Sequence, residues 1–363
     1  MQSEVCYTLD RCNRMMTEAQ KQGLDAVLVM SQINCRYFSG FTGSNAILLI
    51  TPERRILLTD FRYTIQANQQ TNGVFEVVEV SRSIGMDFIS NELKRIGAKR
   101  VGFEDASITV RQFKELETLG VELCPISDAM ANTRAIKSKY EIEQIIAAQN
   151  ASDAAFTQLL GRIRVGMKET EVATELEYLL KKNGAEDKSF DTIVGSGENG
   201  ALCHAIPGDR TLCHGDMVVI DFGSKVNGYC SDMTRTIAIG EPCDELKKIY
   251  NIVLQAQLNA LAALKPGITG GELDRIARDY ITEHGYGENF GHSLGHGFGL
   301  EVHEAPAASK TSETVLTPGM TVTVEPGIYV EGLGGVRIED CCILTEDGYI
   351  NPVNSTKELI IIE

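Results

Sequence analysis

Four acidic residues and one histidine stand in positions that invite metal chemistry. Asp221 ends the apolar run Met217-Val-Val-Ile220, and the loop Gly223-Ser-Lys-Val-Asn-Gly228 leads to a second strand beginning near Tyr229. Asn-Gly is a strong signal for a two-residue hairpin turn. With Asn227-Gly228 at the turn centre, position 221 lies opposite 234 and Asp232 is a same-face diagonal neighbour of Asp221, so two carboxylates come within reach of each other. Like charges placed this way beside an apolar run resist ionisation unless a cation sits between them. The device recurs: Glu325 ends Thr321-Val-Thr-Val324, and after a Gly-rich excursion Gly335-Val-Arg-Ile-Glu339 delivers another acid. Val336 and Ile338 alternate with Arg337 and Glu339, which puts both polar residues on one face and lets Glu339 point where Glu325 points.

Four carboxylates balance two divalent cations, and bridging carboxylates hold such a pair about 3.5 to 4 Å apart. In Gly291-His-Ser-Leu-Gly-His-Gly-Phe-Gly299, His296 supplies the single nitrogen ligand. Oxygen-rich coordination with one imidazole suits Mn²⁺, with Co²⁺, Zn²⁺ or Fe²⁺ also competent, and the lack of thiolate ligands argues against a structural zinc site.

These residues need elements that face them toward one another, and the chain supplies a diverged internal repeat. Val165-Gly166-Met-Lys-Glu-Thr-Glu171-Val172 recurs as Pro266-Gly267-Ile-Thr-Gly-Gly-Glu272-Leu273, each opening an amphipathic helix. Gly215-Asp-Met-Val-Val-Ile-Asp221-Phe-Gly223 recurs as Gly319-Met-Thr-Val-Thr-Val-Glu325-Pro-Gly327. Two similar halves facing each other, each with an acid at a strand end, make a pseudo-twofold site. Upstream, six apolar runs alternate with helical stretches, which means an α/β domain: Ala26–Met30, Ala46–Ile50, Arg55–Thr59, Phe75–Val80, Arg100–Phe103 and Val121–Cys124. A break is expected from Asp128 to Lys139. The helical spacing from Tyr140 to Ile163 then opens the second domain.

Composition narrows the function classes. A chain of 363 residues fits two domains, and 43% hydrophobic with 23% charged residues fits a globular protein. A net charge of −16 without any Lys/Arg cluster argues against a nucleic-acid partner, and the acidic surface attracts metal cations and ligands with a free amine. No apolar stretch reaches the length of a spanning helix, so no membrane role is expected. Met1–Met16 has neither a continuous apolar core nor a small-residue cleavage site, so a cytoplasmic location is expected. The ten cysteines are scattered with no CxxC pair and are expected to be reduced thiols.

The motifs resemble those of the pita-bread family of metallopeptidases, in its branch of Xaa-Pro aminopeptidases and prolidases. The matching stretches are Ile220-Asp221-Phe-Gly, Ser231-Asp232-Met-Thr-Arg-Thr, Gly291 through Glu304, Val324-Glu325-Pro-Gly-Ile-Tyr and Gly335-Val-Arg337-Ile-Glu339-Asp. Tyr37-Phe38-Ser-Gly-Phe-Thr-Gly-Ser44 and Thr59-Asp60-Phe-Arg-Tyr63 resemble the smaller domain of that branch. The resemblance implies an α/β creatinase-like N-terminal domain, residues 1–130. It implies an α+β pita-bread catalytic domain, residues 131–363, with the pseudo-twofold repeat. It implies that Asp221 serves one metal, His296 and Glu325 the other, and that Asp232 and Glu339 bridge both, with a shared water or hydroxide as nucleophile and Glu325 moving its proton. It implies a substrate role for His204, although Cys203 replaces a proline often found before it. It also implies that His292 and His303 hydrogen-bond the substrate carbonyl. Arg337 either braces a metal-bound carboxylate or meets a substrate carboxylate. His214 and His284 lie outside the motifs and read as surface or packing residues.

The implied substrates are short peptides with proline at the second position, and the implied assembly is a homodimer. An aminopeptidase acting on Xaa-Pro peptides is the first expectation and an Xaa-Pro dipeptidase the alternative. A metal-free creatinase-like hydrolase or a non-catalytic binding protein on this scaffold is disfavoured, because all five ligand positions carry competent side chains.

Overall fold

Short β-branched runs separated by amphipathic stretches build an α/β layer in the first part of the chain. The structure, a computed structural model, describes residues 4–81 and 85–363. Residues 1–3, the start of the N-terminal segment read above for a signal peptide, lie outside the described residues. Two compact units result, Met1–Arg134 and Ala135–Glu363.

The first unit runs α1 Glu4–Lys21, β1 Ala26–Val29, α2 Gln32–Ser39, β2 Ile47–Ile50, β3 Arg55–Thr59 and α3 Thr64–Thr71. It continues with β4 Glu76–Glu79, α4 Gly85–Arg95, β5 Arg100–Phe103, α5 Val110–Glu117, β6 Glu122–Pro125 and α6 Ser127–Ala135. Its six strands lie in the order β4-β3-β2-β1-β5-β6, where β1, β5 and β6 are parallel and β2 runs antiparallel to both β1 and β3. Ala26, Leu28, Leu49, Ile56 and Val101 pack under the helices with Ile89 and Leu93 of α4. The expected break from Asp128 to Lys139 contains the boundary between the two units, after Arg134, and its first part is helical: α6 runs to Ala135 with Met130 1% exposed.

In the second unit, α7 Lys139–Leu160 starts at the Ser138/Glu141 capping box, and α8 Glu169–Lys182 follows. Strands β7 Asp187–Lys188, β8 Ile193–Ser196, β9 Met217–Phe222, β10 Ser224–Val226, β11 Tyr229–Cys230 and β12 Met233–Ile239 come next, then α9 Asp244–Ala263 and α10 Gly270–Glu283. The second half supplies β13 Gly295–Gly297, β14 Glu304–Ala308, β15 Thr321–Val324, β16 Gly327–Val330, β17 Gly334–Arg337 and β18 Asp340–Leu344.

Two bent hairpins form its centre. β9 pairs with β12 so that Asp221 opposes Thr234, as the Asn-Gly turn requires, and Asn227 and Gly228 take φ of 46° and 79°. The chain bends at Gly223, where a Cβ would meet the carbonyl oxygen of Ser231 at 2.0 Å, so β10 and β11 pair beyond the bend in a different sheet. The second hairpin bends likewise. Val324 pairs with Asp340 in one sheet and Gly327 with Arg337 in another, which leaves Glu325 and Glu339 facing each other in the gap. The acids therefore sit where each hairpin leaves its ladder. The halves also repeat in detail: Lys168 bridges Thr211 before α8, and Thr269 bridges Val315 before α10. Each half has its own apolar core, one between α7, α8, β9 and β12, the other between α9, α10, β15 and β18.

Among the described residues, no helix is long and apolar enough to cross a membrane, and the nine described cysteines are free, five of them buried.

Candidate metal centre

The bends bring Asp221, Asp232, His296, Glu325 and Glu339 to one cavity of 440 Å³, together with His204, His292, His303 and Arg337. Ligand atoms of Asp232, His296 and Glu339 all lie within 4.8 Å of one another. Asp232 and Glu339 are 4% and 1% exposed. Burial, then the neighbouring carboxylates, pushes both carboxyls well above their ordinary range. Asp221 is pushed up by burial as well, against the pull of Arg337. Burial also works against ionisation at Glu325, but the His296 hydrogen bond and charge outweigh it and hold Glu325 below the usual range.

The orientation of each group follows from its neighbours. His296 places Nδ1 at 3.1 Å from the Gly297 carbonyl, the geometry of a donated hydrogen bond, which aims Nε2 at Glu325 Oε1 (3.3 Å) and Asp232 Oδ2 (3.6 Å). Without a cation Nε2 carries a proton toward these oxygens, and, against the effect of burial, Glu325 raises the His296 pKa. Thr323 steadies this corner, donating its hydroxyl to Glu325 Oε1 and accepting from the His296 amide. Thr234 donates to Glu339 Oε2 at 2.7 Å and accepts from Arg337 Nε at 3.0 Å.

The donor set fits divalent cations on two observations. Asp221 Oδ1 is buried with no hydrogen-bond partner, although its Oδ2 accepts from Arg337 Nη2 at 2.6 Å. An orphaned carboxylate oxygen is costly unless a cation meets it. The excess charge is the second: four clustered carboxylates face a single guanidinium, and of the four imidazoles in the cavity only His296 lies within reach of an ion pair with them.

Arg337, left open between two roles by the sequence, spends its remaining bonds on the Cys203 carbonyl (3.0 Å) and the Tyr329 hydroxyl (2.7 Å). It braces Asp221. Tyr329 was missed by sequence reasoning. Its hydroxyl lies 2.9 Å from His292 Nε2, and since His292 Nδ1 lies 2.8 Å from the Ser293 carbonyl, Nε2 is the acceptor and Tyr329 the donor. Burial keeps His292 below its ordinary pKa, in keeping with a neutral ring. Tyr329 is diagonal to Arg337 across β16 and β17, a relation readable from the hairpin. Room for its ring comes from glycines: a Cβ at Gly327 would meet the hydroxyl at 2.5 Å and one at Gly335 the ring at 2.9 Å.

His204 and His303 sit on loops held by buried charges that sequence reasoning also missed. Glu169, fully buried at the start of α8, accepts from the amides of Ser196 (2.8 Å) and Gly208 (3.1 Å) and so pins the loop bearing His204. Lys137 pairs with Glu304 at 3.0 Å, their side chains 1% and 5% exposed, beside His303. Burial, then His296, holds His303 below its ordinary pKa. Neither His214, packed by Gly240, nor His284, whose ring lies tilted against that of Tyr280, lines the cavity.

Residues 143–346 match the model of metallopeptidase family M24, and residues 11–136 match the creatinase/prolidase N-terminal domain. The chain is 41% identical to the Xaa-Pro dipeptidase of Pyrococcus horikoshii, over 97% of this chain and 99% of that one. Among solved structures, an Xaa-Pro dipeptidase from Bacillus anthracis matches with a TM-score of 0.95 and 45% identity, covering 98% of this chain and 100% of that one. An X-Pro aminopeptidase from Thermotoga maritima matches with a TM-score of 0.89 and 42% identity, covering 95% and 100%.

Proposed function

Since this chain belongs to metallopeptidase family M24 and has the pita-bread catalytic fold, we propose that it is an Xaa-Pro dipeptidase, a prolidase that hydrolyses the bond before proline in short peptides. The observation that carries the reading is the cavity itself: four buried acids and His296 converge there, with Asp221 Oδ1 unpartnered. Divalent metal ions belong to the family, and the proposal is finer: two per subunit, Mn²⁺ first, held by Asp221, Asp232, His296, Glu325 and Glu339. When bound, such ions acidify a water and polarise the scissile carbonyl.

The chain's own residues do the rest. Glu325, held ionised beside His296, is placed to accept a proton and return it to the leaving nitrogen. His303 and His204 line the rim and are assigned to the substrate carbonyl and the leaving residue; His292 lines it too and is assigned to the carbonyl, which it reaches by giving up one of its bonds to the Ser293 carbonyl and Tyr329. Phe190, Ile193 and Val302 give the cavity an apolar wall suited to a pyrrolidine ring, and an imide without an N–H needs no acceptor there.

Arg337 favours a second reading, an Xaa-Pro aminopeptidase acting on longer peptides. It is the one Lys or Arg among the residues lining the cavity, and Asp221, Thr234, Cys203 and Tyr329 take four of its five N–H donors, so this wall offers at most one N–H and no bidentate cation to a C-terminal carboxylate. The proposal includes a cytoplasmic homodimer, checked by light scattering of the purified protein and by fractionation.

Hydrolysis of Gly-Pro and Gly-Pro-Gly-Gly by Mn²⁺-reconstituted protein, beside Asp232→Ala, tests the reading. Cleavage of the dipeptide alone supports prolidase, and cleavage of both supports the aminopeptidase. Cleavage of neither, or cleavage that survives in Asp232→Ala, overturns the proposal.

A further inference from the structure

We infer that Arg278, locked to Asp274, is a positioning residue for this site, an inference that rests on the proposed peptidase reading. The two lie one turn apart on α10, and neither is among the residues lining the cavity. Arg278 Nε and Nη2 reach the Asp274 oxygens at 2.7 and 2.8 Å, a bidentate pair whose carboxylate residue is 1% exposed. The remaining donors turn outward. Nη1 donates to the Phe290 carbonyl and Nη2 to the His292 carbonyl, both at 2.7 Å, while the guanidinium stacks 4.1 Å from the centre of the Phe290 ring. Asp274 Oδ1 accepts from the Leu294 amide at 3.0 Å.

One ion pair thus holds alternate residues of the segment Phe290 to Leu294. That segment belongs to no helix or strand, so it lacks ladder bonds to fix its path. Two functional groups hang from it. The His292 ring reaches Tyr329 from the middle of the clamped stretch, and the Leu294 carbonyl accepts from the Glu325 amide at 2.9 Å. A shift of the segment therefore moves His292 directly and the backbone of Glu325 through one further hydrogen bond. Lysine cannot replace this arginine, because a single ammonium cannot span a carboxylate and two carbonyls in one plane.

The test is Arg278→Lys, measured in three ways. In the metal-free protein, ¹H–¹⁵N spectra of the imidazole rings, assigned by single His→Gln substitutions among the six histidines, should show His292 displaced while His204 and His303 stay. With Mn²⁺ bound at the wild-type stoichiometry, kcat for Gly-Pro should fall by about 10- to 100-fold with KM within about threefold. In a His292→Ala background, Arg278→Lys should lower kcat by less than it does in the wild type, since only the longer route through the Leu294 carbonyl to the Glu325 amide then remains. An unmoved His292 resonance overturns the inference, as does a lowered melting temperature with unchanged kcat, or a full multiplicative loss in the double variant. If Arg278→Lys does not fold, Asp274→Asn, which keeps the acceptor for Leu294 but weakens the pair, is read by the same criteria. If wild type cleaves no Xaa-Pro peptide, the peptidase reading fails, and the metal-free spectra still decide whether the ion pair sets His292.

Discussion

Replacing Asp232 with asparagine keeps the shape of the side chain and removes one charge from the buried cluster. In the metal-free protein the change should stabilise the fold. Ligand atoms of Asp232 and Glu339 lie within 4.8 Å, and two unit charges at that separation repel by about 3.5 kcal/mol at an effective dielectric constant near 20. Partial protonation and the nearby Arg337 reduce the figure, so a gain of about 2–3 kcal/mol at pH 8 is expected, or about 5–10 °C in melting temperature for a unit of this size. The pH dependence has a definite sign. Burial and like charges raise the folded-state pKa of Asp232 and Glu339 above the unfolded value, so between the two values the folded protein holds more protons. The contribution of these groups to stability therefore falls as pH rises through that interval. The advantage of Asp232→Asn should shrink as pH drops toward the ordinary carboxylate range, where the wild-type acid is protonated. Saturating Mn²⁺ should reverse the order, because wild type gains more binding free energy. Calorimetry of chelator-stripped and Mn²⁺-loaded protein from pH 5 to 8 measures all three. A metal-free Asp232→Asn protein no more stable than wild type at pH 8 would refute the account of a site strained by its own charges.

Tyr329→Phe removes the hydroxyl between Arg337 and His292. It should lower kcat by about tenfold or more at unchanged metal content and cost about 1–2 kcal/mol, as read by steady-state kinetics and thermal melts. Gly335→Ala should be far more damaging, because its Cβ would lie 2.0 Å from the Gly200 carbonyl oxygen as well as against the Tyr329 ring. Separating β17 from that turn should cost about 2–4 kcal/mol and weaken the contact of Arg337 with the Cys203 carbonyl, visible as a lower melting temperature with a larger fractional loss of activity.

Legibility in the sequence follows the range of the interaction. The Asn227-Gly228 turn sets the register that puts Thr234 opposite Asp221, since a two-residue turn leaves one pairing in step. The strand runs of the first unit also lie within a residue or two of their expected positions, because alternation and β-branched clusters are local signals. The expected break from Asp128 to Lys139 holds the boundary between the units, but the helix inside it was not legible: α6 forms with Met130 in a buried site, which no local pattern reveals.

The site divides the same way. Which residues could hold cations was readable from acids at strand ends repeated in two halves. What holds those residues in place was mostly not, and for Arg337 the sequence left bracing a carboxylate as one of two roles. Arg337 reaches Asp221 across 116 positions, Glu169 reaches Gly208 across 39, and Arg278 reaches the His292 carbonyl from a helix whose own pattern shows an ordinary i,i+4 ion pair. Side-chain type and local spacing determined the chemistry available to this protein. Only the packing of two bent hairpins, which buries the acids and leaves each supporting charge a single set of partners, decided how that chemistry is aimed.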